Sequence, residues 1–458
     1  MKNLDIIILA AGKGSRMKTS TSKVMHLLAG KPMIQHVVEV AKKLDPANIH
    51  VVVGSGSDVL RSHLRTHGVN LVEQKHQRGT GHAVMMAAPN LSAPKTLILY
   101  GDVPLISPTT LKQLVENPAT ISILVATVEN AFGYGRILRG GDKKIQRIVE
   151  EKDATDIEKS IKEINTGIIA IDTKLLKRLL PELGSNNSQK EYYLTEIISL
   201  ASQKHEKIGS CCPISSNEIR GINNQQQLSD LERIIQRKKA EELMLDKGAR
   251  LADPSRIDIR GELTCEEDVF IDVNCVFIGN VNLEKGVTIG PNSVIGDSRI
   301  GRGTEVLPFS HIFGSIIGDG CAIGPYARIR PQSEIGDFVK IGNFVEIKKT
   351  TVKNGSKINH LSYIGDAKLG EQVNVGAGTI TCNFDGNSKH VTVIENRSFI
   401  GSNTSLVAPV TIGRETVIGA GSTITKDTEA GKLTLSRSKQ ITIEGWRKKK
   451  VTDIKKRN

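Results

Sequence analysis

Residues 317–347 read IGDGCAIGPYARIRPQSEIGDFVKIGNFVEI, with isoleucine at Ile317, Ile323, Ile329, Ile335, Ile341 and Ile347. A helix repeats near 3.6 residues and a plain strand at 2, so a sustained period of six is neither. It is the signature of a hexapeptide solenoid: one hexapeptide per flat face and three faces per coil of a parallel β-helix, with the aliphatic residue pointing inward. Outward from this stretch the beat continues in both directions, with occasional slips of one residue. Upstream it runs back through Ile312, Val306 and Ile300 to Ile295, Ile289, Leu283, Phe277 and Ile271. Downstream it passes Val352, Ile358, Ile364, Leu369 and Val375, and it resumes at Ile394, Ile400, Leu406, Ile412, Ile418 and Ile424. Between Val375 and Ile394 the sequence GAGTITCNFDGNSKHVTV is expected to interrupt the solenoid, and such insertions commonly carry function. The Gly, Ala or Asp often found beside the aliphatic residue relieves crowding at the corner. A β-sandwich would instead show turn clusters every 8 to 12 residues.

The other half of the chain has a different grammar. A strand from Leu4 to Leu9 runs into AAGKGSRM, a glycine-rich loop with cations that suits a phosphate cradle. No GK[ST] closes it and the spacing is not GxGxxG, so it is not a common nucleotide fingerprint. Lys23 follows, and Pro32 is predicted to open a helix with Ile34, Val37 and Val38 on its apolar face. Further strands at Ile49–Val53 and Leu97–Tyr100, separated by helical segments, predict a doubly wound, Rossmann-like α/β domain with a mostly parallel sheet. Asp102 in GDVPLI then falls just past a strand's C-terminal end, where such sheets bind ligands, and is either a metal ligand or a turn residue. After GINN, the segment QQQLSDLERIIQRKKAEELMLDKG predicts one long helix with an apolar stripe at Leu228, Leu231, Ile235, Leu243 and Met244, ending at Gly248. The expected boundaries are 1–225 for the α/β domain, 226–246 for the linker helix and 247–458 for the all-β solenoid with a basic tail.

At 458 residues the chain accommodates these domains with sizeable cores. The apolar run IIILAA is too short to span a membrane, sits behind Asp5 and is followed by Gly12, Lys13 and Arg16, a poor secretory signal. Six cysteines, with only Cys211 and Cys212 adjacent and no CxxC, suggest neither a disulfide framework nor a zinc site. A cytoplasmic protein without stable membrane association is the expectation. The formal charge is +13, but nine Lys or Arg against two acids from Arg437 onward concentrate +7 of it in a short tail. With aromatics at 3%, nucleic acid is not the expected partner; the tail is either solvated or contacts the anionic groups of a ligand.

On the solenoid, His360 in INHLSYIGD is a candidate proton acceptor because imidazole titrates near neutrality. Arg330 and Lys348 suit a sugar phosphate, and Tyr363 and Asn374 can orient it.

The motifs LAAGKGSRM, SKVMHLLAGKPM, QRGTGHA, LYGDVPLI, GYGRI, IVEEKDA, EINTGI, EYYLTEII and GINNQQQL occur in the order seen in sugar-1-phosphate nucleotidylyltransferases. With the solenoid, nearly the whole chain resembles the bacterial bifunctional N-acetylglucosamine-1-phosphate uridylyltransferase and glucosamine-1-phosphate N-acetyltransferase family. The resemblance implies a left-handed β-helix and two reactions that feed peptidoglycan and lipopolysaccharide precursors. In one, glucosamine 1-phosphate is acetylated by acetyl-CoA; in the other, N-acetylglucosamine 1-phosphate takes the uridylyl group of UTP and pyrophosphate leaves. It implies Arg16 and Lys23 as catalytic cations and Mg2+ on Asp102 and Asn223. Leu9, Ala10, Ala11, Gly12, Gln74, Gly79 and Thr80 match uridine-binding positions, Tyr100 and Gly101 fall in the same site, and Gly135, Glu150 and Asn165 match contacts to the N-acetylated sugar. In the second site it implies His360 as proton acceptor, with Arg330, Lys348, Tyr363 and Asn374 around glucosamine 1-phosphate. Ala377, Asn383, Phe384, Ser402, Ala420 and Arg437 match positions lining acetyl-CoA or substrate. A homotrimer, with acetyl-transfer sites between neighbouring prisms, is implied in the same way. Two positions depart from the family: Ser22 stands where proline is usual, which predicts a looser loop, and Phe384 stands for tyrosine, which removes one hydrogen bond. A nucleotidylyltransferase whose β-helix serves only assembly or regulation is the second reading, and a nucleic-acid-binding scaffold the third.

Overall fold

A computed structural model describes residues 2–12 and 14–446; Lys13 of the glycine-rich loop and the Lys448–Lys450 stretch of the basic tail lie outside them. The chain divides into two compact units, the first reaching Lys239 and taking in Ile259–Gly261, the second comprising Ala240–Asp258 and everything from Glu262 onward.

In the first unit every residue of the strand Leu4–Ala10 is buried, as a central strand covered on both faces requires. It pairs in parallel with Asn48–Gly54 on one side and Lys95–Tyr100 on the other, and Asn48–Gly54 pairs in parallel with Asn70–Gln74. The sheet runs on through Glu163–Asp172, Ile121–Thr127 and Ile208–Cys211. Glu163–Asp172 is antiparallel to both neighbours, so the sheet is mixed and not uniformly parallel; its run EINTGIIAID records burial but not direction. The helix Met33–Lys42 follows Pro32 and buries Met33, Ile34, Val37, Val38 and Ala41. Ala10, Gly54, Gln74 and Tyr100 end the parallel strands at one edge of the sheet, which is where the first site forms.

The helix Gln225–Asp246 buries Leu231, Ile235 and Leu243, and Gly248 beyond it has φ +69°. Gln236, also buried, was not part of the expected stripe. Its amide accepts from the Ile259 backbone N–H at 2.7 Å and donates to the Ile259 carbonyl at 3.0 Å, acting as a strand partner made of side chain.

In the second unit the aliphatic beat becomes three ladders. One stacks Ile289, Val306, Ile323, Ile341, Ile358, Val375, Ile400 and Ile418. A second stacks Phe277, Ile295, Ile312, Ile329, Ile347 and Ile364, and a third Leu283, Ile300, Ile317, Ile335, Val352, Leu369, Ile394 and Ile412. Every one of these side chains is buried. Where glycine follows the aliphatic residue, the next coil forces it: a Cβ on Gly342 would lie 1.9 Å from the Asn359 carbonyl oxygen. Two residues before the aliphatic position, Ser, Thr or Cys repeatedly fills the corner and bonds a turn carbonyl, as Thr304 does to Gly318 at 2.7 Å and Ser356 to Gly370 at 2.8 Å. These corner carbonyls fall outside the ladders and need a partner when buried.

The expected interruption between Val375 and Ile394 is shorter than its 18 residues. Thr381 stacks on Leu406 in the second ladder and is buried, so the beat continues one hexapeptide past Val375 before the chain leaves the prism. Threonine matches valine in shape, and its hydroxyl accepts from the Gly365 N–H at 2.8 Å and donates to the Gly365 carbonyl at 3.0 Å, which lets a polar residue occupy an apolar slot. The excursion itself carries Phe384 and Lys389, paired antiparallel.

Candidate active sites

A cavity of about 420 Å³ opens at the sheet edge of the first unit. Leu9, Ala10, Ala11, Gly12, Lys23, Gln74, Gly79, Thr80, Tyr100 and Asp102 line it, all anticipated from sequence. Gln77 and Glu191 line it as well and were not anticipated; Gln77 donates its amide N–H to the Ala11 carbonyl, tying the QRGTGHA segment to the glycine-rich loop. Glycine is required at position 79, where φ is +104° and a Cβ would meet the Tyr192 carbonyl oxygen at 2.5 Å.

At the floor Lys23 Nζ contacts Asp102 Oδ2 and donates to Asn223 Oδ1 at 2.8 Å, while Arg16 donates to the same Asn223 oxygen at 2.9 Å. A carboxylate and an amide oxygen thus converge on one cationic centre. This donor pair fits a hard divalent cation that keeps most of its waters, and no larger His, Cys, Asp or Glu cluster suited to a metal occurs among the described residues. The loop bearing Lys23 lacks the family's proline, and Ser22 there has φ −53° and ψ 134°, a conformation that proline also adopts.

Gly135, Glu150 and Asn165 gather beside Tyr100 rather than in the cavity wall. Gly135 pairs with Asn165 across two strands, and a Cβ on Gly135 would lie 3.6 Å from a Glu150 oxygen. Burial pushes the Glu150 carboxyl above its ordinary value, against the Thr195 hydroxyl donating to it at 2.9 Å. Burial, with the Glu150 and Asp102 charges adding, raises the Tyr100 hydroxyl beyond the usual phenol range, so it stays a neutral donor. Gly101 is buried behind this edge, packed on Ile34 and Val24.

On the β-helix, register sorts the candidates into groups. His360, Ala377, Ser402 and Ala420 each stand two residues beyond stacked aliphatic positions, forming a column at one corner, with Arg437 donating to the Ala420 carbonyl at 2.8 Å. His360 is exposed, and its Nδ1 lies 2.9 Å from Asn343 Oδ1 on the coil before it. An amide oxygen only accepts, which puts the ring proton on Nδ1 and leaves the Nε2 lone pair free.

Arg330, Lys348 and Tyr363 cluster at the other end of the face that His360 opens. Lys348 pairs with Asp366 at 2.9 Å, Arg330 with Glu346 at 2.9 Å, and the Tyr363 hydroxyl covers Gly365. Asn383 donates to Asp366 and lies 3.5 Å from the Tyr363 hydroxyl. Burial pushes Asp366 up, but the bonds from Lys348 and Asn383 outweigh it and hold the carboxyl below its ordinary value. Asn374 lies around the corner, on the face that ends at His360, and Phe384 is exposed on the excursion. Lys389 was missed: the excursion brings it to Lys348, whose charge holds the Lys389 ammonium below its ordinary value, with Arg330 adding to the same field. Three cations thus meet here beside the carboxylates of Glu346 and Asp366.

A MobA-like NTP transferase domain matches residues 6–163, and the bacterial transferase hexapeptide repeat matches residues 314–349 and 392–426. The bifunctional protein GlmU of Marinobacter nauticus is 51% identical over 453 residues, covering 98% of this chain and 100% of that protein. Those of an Azoarcus species and of Cupriavidus pinatubonensis are 50% and 51% identical, each over 448 residues and 97% of this chain, covering 99% and 98% of their own lengths.

Proposed function

The chain belongs to the family of bifunctional GlmU proteins, and on that premise we propose that it makes UDP-N-acetylglucosamine from glucosamine 1-phosphate, acetyl-CoA and UTP. Residues 1–225 carry uridylyl transfer, 247–458 carry acetyl transfer, and 226–246 connect them. One observation carries this reading: 98% of the chain aligns with the whole of a bifunctional relative at 51% identity, so neither half is matched alone. The enzyme acts in the cytoplasm, where UTP and acetyl-CoA are available; no helix among the described residues is long and apolar enough to cross a membrane.

In the first reaction a phosphate oxygen of N-acetylglucosamine 1-phosphate attacks the α-phosphorus of UTP, the bond to the β-phosphate oxygen breaks, and pyrophosphate departs. Such transfers need charge neutralisation and alignment more than covalent help. Arg16 and Lys23 receive the phosphates. Lys23 stands at the cavity floor against Asp102 and Asn223, within the site where its charge offsets that of the phosphates. Magnesium held by Asp102 and Asn223 would supply further positive charge against the phosphates. Leu9 to Gly12, Gln74, Gly79 and Thr80 take the uridine, while Gly135, Glu150 and Asn165 take the N-acetylated sugar beside Tyr100.

In the second reaction Arg330, Lys348 and Lys389 hold the phosphate of glucosamine 1-phosphate, and Tyr363 and Asn374 orient the sugar. Its amine attacks the thioester carbon, the amine proton passes to His360 Nε2, and the CoA thiolate leaves. The Asn343 contact supports this role because it fixes the tautomer with Nε2 unprotonated. Ala377, Asn383, Phe384, Ser402, Ala420 and Arg437 line the acetyl-CoA side. The active form is a homotrimer. Supporting this, Phe309, Tyr326, Phe344 and Leu361 form an exposed apolar column, its three rings stacked at successive spacings of 5.0 and 5.3 Å, one residue beyond the Asn343 and His360 corner.

The test is thiol release from acetyl-CoA with glucosamine 1-phosphate and no UTP, alongside pyrophosphate release from UTP with N-acetylglucosamine 1-phosphate. His360→Ala is expected to abolish the first and spare the second, and Asp102→Ala the reverse. Loss of both activities in either well-folded variant would defeat the two-site reading. Absence of thiol release in the parent enzyme would make the β-helix a scaffold.

A further inference from the structure

Gln74 ends the strand Asn70–Gln74 and is only 3% exposed, yet it lines the nucleotide cavity. Its side-chain nitrogen lies 3.1 Å from the Gly79 carbonyl oxygen and 2.9 Å from His82 Nδ1. A carbonyl oxygen only accepts, so the amide NH2, not the amide oxygen, faces Gly79. The second N–H then points at His82, whose Nδ1 must accept and whose own ring proton must sit on Nε2. Both donors are consumed, and Oε1 has no protein partner among the described residues. Gln74 therefore meets the cavity as an acceptor alone.

An acceptor discriminates between pyrimidines. Uracil presents an imide N–H at N3, whereas cytosine presents a lone pair at the same ring atom. We propose that His82 is a positioning residue that fixes the Gln74 amide and thereby makes the cavity choose UTP over CTP. The inference rests on the reading of this cavity as a UTP site. The placement of His82 suits that role, since it stands in the first turn of the helix Thr80–Ala87, directly after Gly81, whose N–H is anchored to the Tyr192 carbonyl at 2.8 Å. Burial, with the charges of Arg78 and His76 adding, holds the ring below its ordinary pKa, which keeps the Nδ1 lone pair available at neutral pH. Without that acceptor one Gln74 N–H is released. The amide can then offer the cavity a donor, which suits the cytosine N3.

The experiment compares kcat/KM for UTP and CTP in pyrophosphate release with N-acetylglucosamine 1-phosphate, using the full-length enzyme. The variants are His82→Phe, which keeps a ring without an acceptor, and His82→Asn, whose Oδ1 stands close to where Nδ1 was. Thiol release in the acetyl-transfer assay, which does not involve this cavity, reports that each variant is folded. His82→Phe is expected to lower the UTP to CTP ratio by about tenfold, the scale of one hydrogen bond, and His82→Asn to restore it. A ratio unchanged in His82→Phe overturns the proposal, as does a ratio lost equally in both variants. His82→Ala reads the same ratio should the Phe variant fail to fold. If the parent enzyme releases pyrophosphate from neither nucleotide, the uridylyltransferase reading falls and this inference with it. A parent enzyme that prefers UTP while every His82 variant keeps its ratio leaves that reading standing and removes only this one.

Discussion

His360 and Lys389 illustrate what single residues do and do not disclose. A histidine in a hexapeptide turn draws notice because few side chains titrate near neutrality. Lys389 is one lysine among many until the excursion folds back and sets it against Lys348. Because Lys389 is exposed, its field is screened by water and salt. Lys389→Ala is therefore expected to raise the KM for glucosamine 1-phosphate by about fivefold with little change in kcat, an effect that shrinks as salt is added; steady-state thiol release at two ionic strengths checks this. Glu150 supports a second expectation. Its folded pKa is raised by burial, so the ionised carboxylate costs stability at pH values above that pKa, and the cost fades as pH falls through it. Glu150→Gln keeps an acceptor for Thr195 and removes the buried charge. It should raise the melting temperature at pH 7, with a gain that narrows on acidification towards about pH 4.5, while weakening uridylyl transfer; calorimetry at both values decides it. Gly12 of the glycine-rich loop, Gly79 and Thr80 of QRGTGHA and Asp102 of GDVPLI were legible because they fall in runs whose order was informative. Gln77, Glu191 and Gln236 were not, since an amide or carboxylate in a loop or on a helix gives no sign of what it will face.

At the scale of the element, the period of six was readable because one steric demand recurs in every coil. The inward residue must be aliphatic, and the position after it must admit the next coil, as Gly342 shows against Asn359. The beat became illegible where a second chemistry met the same demand. Thr381 has the shape of valine and satisfies its own hydroxyl on Gly365, so an aliphatic count stops one hexapeptide too early. Corner serines and threonines escaped notice for a related reason: their role, bonding turn carbonyls, shows only once coils are stacked. The loop around Ser22 shows a backbone that proline would also fit. Serine there already adopts φ −53°, because Gly14 packs against Lys23 and the Met25 N–H bonds back to the Ser22 carbonyl at 2.9 Å. Ser22→Pro is thus compatible with the native backbone and removes freedom only from the unfolded chain. It should stabilise the first unit by about 0.4–1 kcal/mol without lowering uridylyl transfer. Denaturant unfolding together with pyrophosphate release tests it; a destabilised or slower variant would show that the loop must leave this conformation to work.

For the whole molecule, a column of exposed rings on the β-helix stands out among the described residues. Phe309, Tyr326 and Phe344 are each about half exposed, and all three hold left-handed backbone, with φ of 60°, 57° and 56°. Large aromatic residues are uncommon there, since Gly or Asn would fit more easily. The rings are therefore kept at a conformational cost, and within one chain they recover only their stacking on one another. A contiguous exposed apolar strip of this kind marks an interaction surface. Its position, one residue past Asn343 and His360, means that a second copy covering it would also bound the acetyl-transfer site. Asp tolerates left-handed backbone, so Phe309→Asp with Tyr326→Asp should leave each corner folded while placing charge on the strip that a second copy would cover. Both substitutions lie on the coils before the Asn343 and His360 pair, so the histidine's own neighbours are untouched. The double variant is expected to sediment as a monomer, to lose most thiol release and to retain pyrophosphate release, because the cavity at the sheet edge is lined by residues of the first unit. An associated double variant with full acetyl transfer would place the contact between copies elsewhere on the prism, and a monomer that still acetylates would show that one chain suffices for both reactions.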